Sequence, residues 1–248
     1  MAIKDDIIKE SRKLKDMTFK QKSEYIWEYY KVQILVCICV IVGIVFTVTE
    51  LKNNSKPVFL DAVLINSDTA YFSPDTIQDD FVQYAGINLD TYNISIDDSM
   101  VINVNGTDEI SIANLEKLLA LYASGTTDVV IGTTDVLDRY GELGAHKNLE
   151  TILSKECLNT LSDNGYEFYY TALKNTSVDN NGNSIEEKGE PFIAGIYLDN
   201  SDYLSKLGGY GAYSSQLKSG KRVIFTIAET AVNIDNAVMF LNMITGVE

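Results

Sequence analysis

The sequence predicts an α/β protein, with an N-terminal transmembrane helix followed by one extracytoplasmic domain built on a mixed sheet. Two observations support this prediction. Residues 32–48 form an uncharged apolar run, VQILVCICVIVGIVFTV. From Pro57 onward, short apolar runs alternate with segments of helical periodicity, which is typical of a sheet with helices on its faces. The 248-residue chain is 46% hydrophobic and contains only 3 Pro and 16 Gly, which excludes a disordered or collagen-like protein.

The charge of the chain changes sign across the apolar run. The formal net charge is −15. Residues 1–31 hold 8 basic and 6 acidic residues, a net of +2, whereas residues 50–248 hold 12 and 29, a net of −17. An acidic domain is poorly suited to a phosphate backbone, so no nucleic-acid partner is expected.

Residues 29–49 are long enough to cross a bilayer as one helix, so the lipid bilayer is their expected partner. Such a helix rises about 31 Å, close to the hydrocarbon thickness of ~30 Å. Aromatic residues just before the run, with Trp27 the only tryptophan, are typical of an interfacial belt. The positive-inside rule places residues 1–28 in the cytoplasm. Residues 50–56 are then a short stalk and residues 57–248 an extracellular domain on the cell membrane.

Three other interpretations of the apolar run fit less well. A buried core helix seldom has seventeen apolar residues covering all its faces. A cleaved signal peptide has a short basic region and a small-x-small cleavage site, whereas 31 residues precede this run and Thr-Val-Thr at 47–49 ends it. A lipoprotein anchor is disfavoured because Cys37 and Cys39 each follow a large aliphatic residue. An uncleaved signal anchor is therefore expected.

A capping-box pattern precedes the apolar run. The spacing of Thr18 and Gln21 predicts a helix that begins at Thr18 and continues into the bilayer. The first sixteen residues carry Ile and Leu among Lys and Asp. They fit a short amphipathic helix at the inner membrane surface and, equally, a solvated tail that is only partly helical.

Strands of the domain are predicted where apolar residues form short runs or alternate with polar ones between turn residues. The turn-rich link Asp179–Asn183 predicts a hairpin between two of them. The predicted strands are Val58–Ile65, one bent strand or two short ones within Tyr92–Val104, Asp128–Gly132, Phe168–Leu173, Pro191–Leu198 and Arg222–Ala228.

Helices are predicted where apolar residues recur at three- and four-residue spacing between start and stop signals. Ser73-Pro74 supplies an N-cap and a first-turn proline, and the helix that follows ends at Gly86. The next predicted helix is Ser111–Ala123, which Ser124-Gly125 ends. The remaining predicted helices are Thr134–Glu142, Leu149–Leu161, Asp202–Leu207 and Ile234–Ile244.

Two stretches resemble the type 2 periplasmic (extracellular solute-binding) fold. They are Asp128–Gly132 (DVVIG) with the following Tyr140-Gly141, Leu143-Gly144 and Leu149, and strand Val223–Ala228 with Asn233, Asn236-Ala237, Phe240-Leu241 and Ile244. The resemblance implies that the first strand ends at a ligand cleft and that the last helix closes one lobe. Only about forty residues separate Leu149 from Pro191, where a second lobe is inserted in that family, so it implies a single lobe with the second missing or vestigial.

The segment before the apolar run has a resemblance of its own. Residues 17–22 (MTFKQK) and 25–31 (YIWEYYK) are similar to the cytoplasmic lead-in of single-pass membrane proteins from clostridial Gram-positive bacteria. This resemblance implies a location at the membrane and no particular activity.

Five residues are candidate ligand-binding residues: Thr133, Thr134, Asp135, Tyr210 and Tyr213. The first three lie where a strand turns into a helix, and a helix N-terminus offers free N–H groups to an anion. Ligands also bind at the carboxyl ends of strands in α/β sheets. The two tyrosines lie in the glycine-rich segment GGYGAY, a plausible loop for a sugar ring or peptide. The competing interpretations are a simple N-cap and an exposed loop.

No catalytic residue, metal ligand or cofactor is expected. His146, the only histidine, lacks a nucleophile motif and is expected at the surface. Cys157 has no partner within the domain, because the other two cysteines lie in the apolar run. Residues 179–190 alternate oxygen-bearing side chains like a calcium loop, but Ser184 stands where that loop needs glycine, so a hairpin tip is expected. The adjacent acidic pairs are expected to be a solvated surface.

Two functions remain open at this point. The first is a non-catalytic binding or sensing module for a small molecule or peptide. The alternative is a structural or interaction module that docks another cell-envelope protein and has no small-molecule ligand. A concave site lined by residues 132–135 and 208–213 favours the first, and a filled groove with an exposed apolar patch favours the second.

Overall fold

The computed structural model describes residues 18–67, 74–106, 108–178, 184–207, 210 and 220–247. They belong to two compact units, Met1–Ser55 and Lys56–Glu248.

The first unit contains one long helix, α1, from Phe19 to Asn54. The Thr18 N–H and hydroxyl both reach the side-chain oxygen of Gln21, each at 3.0 Å, which confirms the predicted helix start. Within α1, residues Tyr30–Lys52 are long and apolar enough to cross a membrane, although a signal sequence has the same property. The Thr47 hydroxyl donates to the Gly43 carbonyl at 2.8 Å, so this polar group is satisfied inside the helix.

The second unit is built on a six-stranded mixed sheet. Its strand order is β2-β1-β3-β8-β7-β4. Strand β1 is parallel to β2 and β3, and the remaining neighbours are antiparallel. The strands described are β1 (Val58–Leu64), β2 (Asn93–Asp97), β3 (Val129–Thr133), β4 (Phe168–Thr171), β5 (Lys174–Val178), β6 (Ser184–Lys188), β7 (Phe192–Tyr197) and β8 (Val223–Ile227).

The helices of this unit begin and end at local capping signals. The Asp108 carboxylate accepts from the Ser111 N–H at 2.8 Å to start α3, and Gly125 ends it in the left-handed conformation with φ of 67°. The helices described are α2 (Pro74–Ala85), α3 (Glu109–Ser124), α4 (Thr134–Glu142), α5 (Lys155–Asp163), α6 (Asp202–Leu207) and α7 (Ile234–Thr245), with a 3₁₀ turn at Leu149–Thr151.

The α/β class and most elements confirm the sequence-based prediction. The predicted single helix over Leu149–Leu161 is wrong, because a 3₁₀ turn and α5 replace it. The Ser154 hydroxyl accepts from the Cys157 N–H at 3.1 Å and starts a new helix there. Of the helix predicted after Ser73-Pro74, Ser73 lies outside the described residues.

The predicted hairpin between β4 and β7 contains two strands that the sequence did not indicate. Strands β5 and β6 pair antiparallel as a separate ribbon, and its turn at 179–183 lies outside the described residues. Every residue of β6 is exposed. A ribbon that is solvated on both faces has no apolar alternation, which explains why its strands were missed.

The core lies around the two central strands. All five residues of β3 and all five of β8 are buried, as expected for strands covered on both faces. On one side Phe240 of α7 packs edge-on against Phe81 of α2, with ring centroids 5.0 Å apart, and against Phe225 of β8 at 6.5 Å. These contacts fix α2 and α7 against the sheet.

A buried carboxylate joins three parts of the domain at one edge of this sheet. Asp128, just before β3, is 1% exposed. Its carboxylate accepts from the backbone N–H groups of Asp61 at 3.0 Å, Val232 at 3.1 Å and Asn233 at 2.9 Å, and from the Asn233 side-chain amide at 3.0 Å. Four donors compensate the loss of hydration of the charge. Asp128 thereby ties β1 and the segment entering α7 to β3.

Replacement of Asp128 by Asn is expected to lower the free energy of unfolding by about 2–4 kcal/mol. The asparagine amide would present a donor to backbone N–H groups that need an acceptor. Guanidinium denaturation of the full chain in detergent micelles, followed by near-ultraviolet circular dichroism, measures the loss. Asp90→Asn, at an exposed aspartate, is the matched control. Equal stability of the two variants would contradict the role of Asp128.

Candidate functional site

The predicted strand-to-helix turn is present where the sequence placed it. Strand β3 ends at Thr133, which is buried and precedes α4 without capping it through its hydroxyl. The Thr134 N–H donates to the Arg222 carbonyl at 3.0 Å. The Asp135 carboxylate pairs with the Lys221 ammonium at 2.8 Å. Burial opposes the charge on Asp135, but Lys221 outweighs it and the pKa of Asp135 is lowered.

The tyrosine expected in a binding loop lies in the core at the same edge. The ring of Tyr210 is fully buried, and its hydroxyl donates to the Ile65 carbonyl just after β1. The structure thus brings Tyr210 to the carboxyl ends of β1 and β3, near Thr133. Tyr213 lies outside the described residues, and the binding role of all five candidates stays a prediction.

An arginine that the sequence did not single out also occupies this edge. The Arg222 guanidinium bonds to the carboxylates of Asp199 and Glu167, and it lies over the Tyr197 ring at 3.6 Å from the centroid. Lys221 and Arg222 thus pair with three carboxylates at this edge, those of Asp135, Asp199 and Glu167, so both of these cations have partners within the chain.

A concave pocket lies at the opposite edge of the sheet, where α4 ends and β8 leads into Ala228. This His146 pocket has a volume of about 530 Å³, within the range of ordinary ligand sites. Leu143, Leu173 and Phe192 supply its apolar surface. Its polar and charged lining comprises Glu142, His146, Asn148, Lys174, Asn175 and Glu229.

The expectation that His146 lies at the surface is wrong. His146 is 2% exposed, because its backbone bridges to Ala228 after β8 and holds the ring against the core. The ring Nε2 lies 3.1 Å from the Tyr122 hydroxyl, and Nδ1 has no hydrogen-bond partner among the described residues. Burial lowers the pKa of His146 to about 4, so the ring is neutral at pH 7.

An ion pair ties the ribbon to α4 beside the His146 pocket. The Lys188 ammonium of β6 lies 2.9 Å from the Glu142 carboxylate at the end of α4 and lowers its pKa. Within the ribbon, Lys174 lies 2.9 Å from Glu186. Gly144 approaches the ribbon so closely that a Cβ there would lie 3.1 Å from the Leu173 side chain. One wall of the pocket is therefore a ribbon held at its base.

Two smaller pockets, of about 170 Å³ and 220 Å³, lie beside the His146 pocket, between α3 and the end of α4. Both are lined by Leu119, Tyr140 and Leu143, and Leu143 also lines the His146 pocket. Leu143 is 65% exposed and Leu119 is 56% exposed. The three pockets together are named the Leu143 groove below.

Sequence reasoning missed the Leu143 groove because its residues come from distant segments. The residues lining it fall at 115–123, 139–148, 173–175, 192 and 229–230, and none of these segments carries a local motif. The Leu143-Gly144 turn lies in the groove, but its pattern indicated only a resemblance to the solute-binding fold.

Across the part of the chain that is described, no group of three or more His, Cys, Asp and Glu side chains is placed to hold a metal ion. Cys157 is partly buried, and burial raises the pKa of its thiol. The acidic segment compared with a calcium loop falls partly outside the described residues.

Comparison of the chain with protein-family models, curated proteins and solved structures found no match. The chain is therefore defined by its architecture: an N-terminal apolar helix followed by a mixed α/β domain with a groove at one edge of its sheet.

The buried histidine predicts a loss of stability in mild acid. The unfolded chain binds a proton at His146 below pH 6.5, whereas the folded chain does so only near pH 4. Stability is therefore lost as the pH falls through this interval, by about 2–3 kcal/mol between pH 7 and 4.5. The raised pKa of Asp61 acts in the opposite direction at lower pH.

Denaturation of wild type and His146→Gln at both pH values isolates this contribution. We expect the variant to lose less stability than wild type on acidification, because it has no imidazole to protonate when it unfolds. Identical losses in the two proteins would show that other groups carry the pH dependence.

Proposed function

We propose that this chain is a membrane-anchored binding or sensing module whose α/β domain lies outside the cell and holds a small molecule or peptide in the His146 pocket without catalysis. The observation that carries the proposal is the pocket itself. Its volume, about 530 Å³, suits a small ligand, and its lining combines apolar side chains with polar and charged ones that can orient a ligand.

The lining chemistry supports binding and positioning. Lys174 pairs with Glu186 and Glu142 pairs with Lys188, both partners being in β6, and these ion pairs limit the motion of the two lining side chains. Asn175 is exposed at the pocket, where its amide offers both a donor and an acceptor. The Asn148 side chain instead accepts from the Glu150 N–H at 3.0 Å and shapes the backbone.

The absence of catalysis is part of the proposal and rests on the setting of His146. Its ring contacts a tyrosine hydroxyl rather than a serine or cysteine, and no carboxylate among the described residues bonds to its Nδ1. A buried neutral imidazole with these partners is suited to shaping the pocket.

The membrane location rests on the length and composition of α1 and on the charge asymmetry around it. In the proposed topology, residues 29–49 span the bilayer as a signal anchor, residues 1–28 are cytoplasmic and the acidic domain is extracellular. The likeness of residues 128–149 and 223–244 to a single lobe of the type 2 solute-binding fold supports a binding role by analogy.

A second candidate function is the docking of another envelope protein without a small-molecule ligand. Helix α3 favours it, because Ile112 and Leu119 are 46% and 56% exposed on its outer side while Leu118 and Tyr122 are buried on its inner side. A helix that is apolar on both sides is typically covered on both sides.

The proposed topology predicts which end of the chain a protease can reach. Protease added to intact cells that carry the chain with an epitope tag at each end should remove the C-terminal tag and leave the N-terminal tag intact. Permeabilised cells, in which both tags are cleaved, are the control. A C-terminal tag protected in intact cells would overturn the sidedness.

The His146 pocket predicts that blocking it prevents ligand-induced stabilisation. The full chain in nanodiscs is screened against sugars, amino acids, peptides and divalent ions by thermal denaturation followed with circular dichroism. A ligand at a hundred times its Kd adds about 2.7 kcal/mol, or roughly 5–10 °C in Tm for a domain of this size.

Asn175→Trp fills the pocket, and Thr176→Trp on the opposite face of β5 is the matched control. We expect compounds that stabilise wild type to stabilise the Thr176 variant and to lose their effect on the Asn175 variant. Stabilisation of both tryptophan variants would place the ligand elsewhere, and no stabilising compound in the whole set would favour the docking function.

A further inference from the structure

We propose that the Leu143 groove binds a soluble cationic amphipathic peptide, whose apolar side chains enter the groove and whose basic side chains face its carboxylates. The inference rests on the proposed binding function and names the class of ligand. It depends on three properties of the groove: its division into side-chain pockets, its uncovered apolar surface and its charge.

The groove consists of neighbouring pockets of side-chain size. The two pockets between α3 and α4 have volumes of about 170 Å³ and 220 Å³ and share Leu119, Tyr140 and Leu143. The His146 pocket adjoins them through Leu143 and Gly144. A row of small pockets suits the successive side chains of one peptide, whereas a folded partner needs a broad contact of roughly 800 Å² on each side.

The apolar surface of the groove has no cover from the described residues. Leu119 and Leu143 are more than half exposed, and the outer side of α3 adds Ile112, Ala120 and Ala123. An exposed apolar surface of this kind, bordered by charged residues, marks a binding surface. Apolar peptide side chains would remove it from water.

The charge around the groove selects a cationic occupant. The domain has a net charge of −17 beyond residue 49. Five of its basic side chains are already paired with carboxylates of the domain at hydrogen-bonding distance, namely Lys117, Lys174, Lys188, Lys221 and Arg222. Negative charge that the chain does not neutralise itself attracts a basic peptide and repels a second copy of the domain.

Two carboxylates at the groove are placed to meet basic side chains. Glu116 lines one end and forms no ion pair with any described residue. Glu229 lies between the second pocket and the His146 pocket, is 55% exposed, and has Lys147 at 3.7 Å, a long contact. The lining of the three pockets contains the glutamates Glu116, Glu142 and Glu229 and the cations Arg139 and Lys174, so a peptide meets more negative than positive charge there.

The test uses the full chain in zwitterionic nanodiscs and three labelled peptides, with fluorescence anisotropy as the readout and empty nanodiscs as background. One peptide is amphipathic and built from leucine and lysine. In the second, glutamate replaces lysine, and in the third, serine replaces leucine. We expect the leucine–lysine peptide to bind at least about tenfold more tightly than either control peptide, because it alone has both the apolar and the basic component.

Two pairs of variants test whether the groove is the binding site. Leu143→Ser should weaken binding about tenfold, whereas Leu89→Ser, at an exposed leucine outside the groove, should not. Glu116→Gln combined with Glu229→Gln should weaken binding and reduce its salt dependence. Glu109→Gln combined with Glu156→Gln removes the same charge from exposed positions elsewhere and is the control.

The inference is overturned if the leucine–lysine peptide does not bind, or if every variant binds it as wild type does. It is also overturned if both glutamine pairs weaken binding equally, since the peptide would then follow net charge alone. If a small molecule stabilises wild type but not Asn175→Trp while the peptide does not bind, the proposed function stays intact and this inference is overturned. If no small molecule stabilises the chain and the peptide does not bind, the proposed function and this inference are both overturned.

Discussion

The carboxylate of Asp128 is the interaction on which the arrangement of the domain depends. It is buried at the start of β3 and accepts hydrogen bonds from β1 and from the segment entering α7. A charge in this position is tolerated only with all its donors in place. One side chain therefore links the pairing of β1 with β3 to the path into α7, whose Phe240 packs on Phe81.

The same edge of the sheet positions the groove. The Ala228 N–H donates to the Asp128 carbonyl at 2.9 Å, and Ala228 in turn bridges to His146. The backbone groups of Ala145 and Lys147 bond to Glu229 and Ile227, so the loop after α4 is held at both sides of the histidine. Backbone contacts through Ala228 thus connect the residue that carries the buried carboxylate to the residue that carries the buried imidazole. The exposed leucines of the groove belong to the same part of the domain.

Local signals predicted much of the fold and little of the candidate site. Helices Thr134–Glu142 and Asp202–Leu207 were predicted with their observed bounds, because start and stop signals act within one turn. Ser154 shows the limit of such signals. The apolar spacing predicted one helix over Leu149–Leu161, but the Ser154 cap starts a separate helix within that range. The predicted turn at Thr133 exists, but its charges are compensated internally, and Tyr210 beside it is part of the core.

The sequence by itself determined the apolar N-terminal helix, the mixed α/β class and the acidic character of the domain, because length, periodicity and charge are properties of neighbouring residues. Only the tertiary structure decided where the groove lies and that His146 is buried. The antiparallel insertion of β8 between β3 and β7 brings the loop after α4 beside residues far away in the chain, such as Phe192 and Glu229. Strand order depends on long-range pairing, which no local pattern encodes.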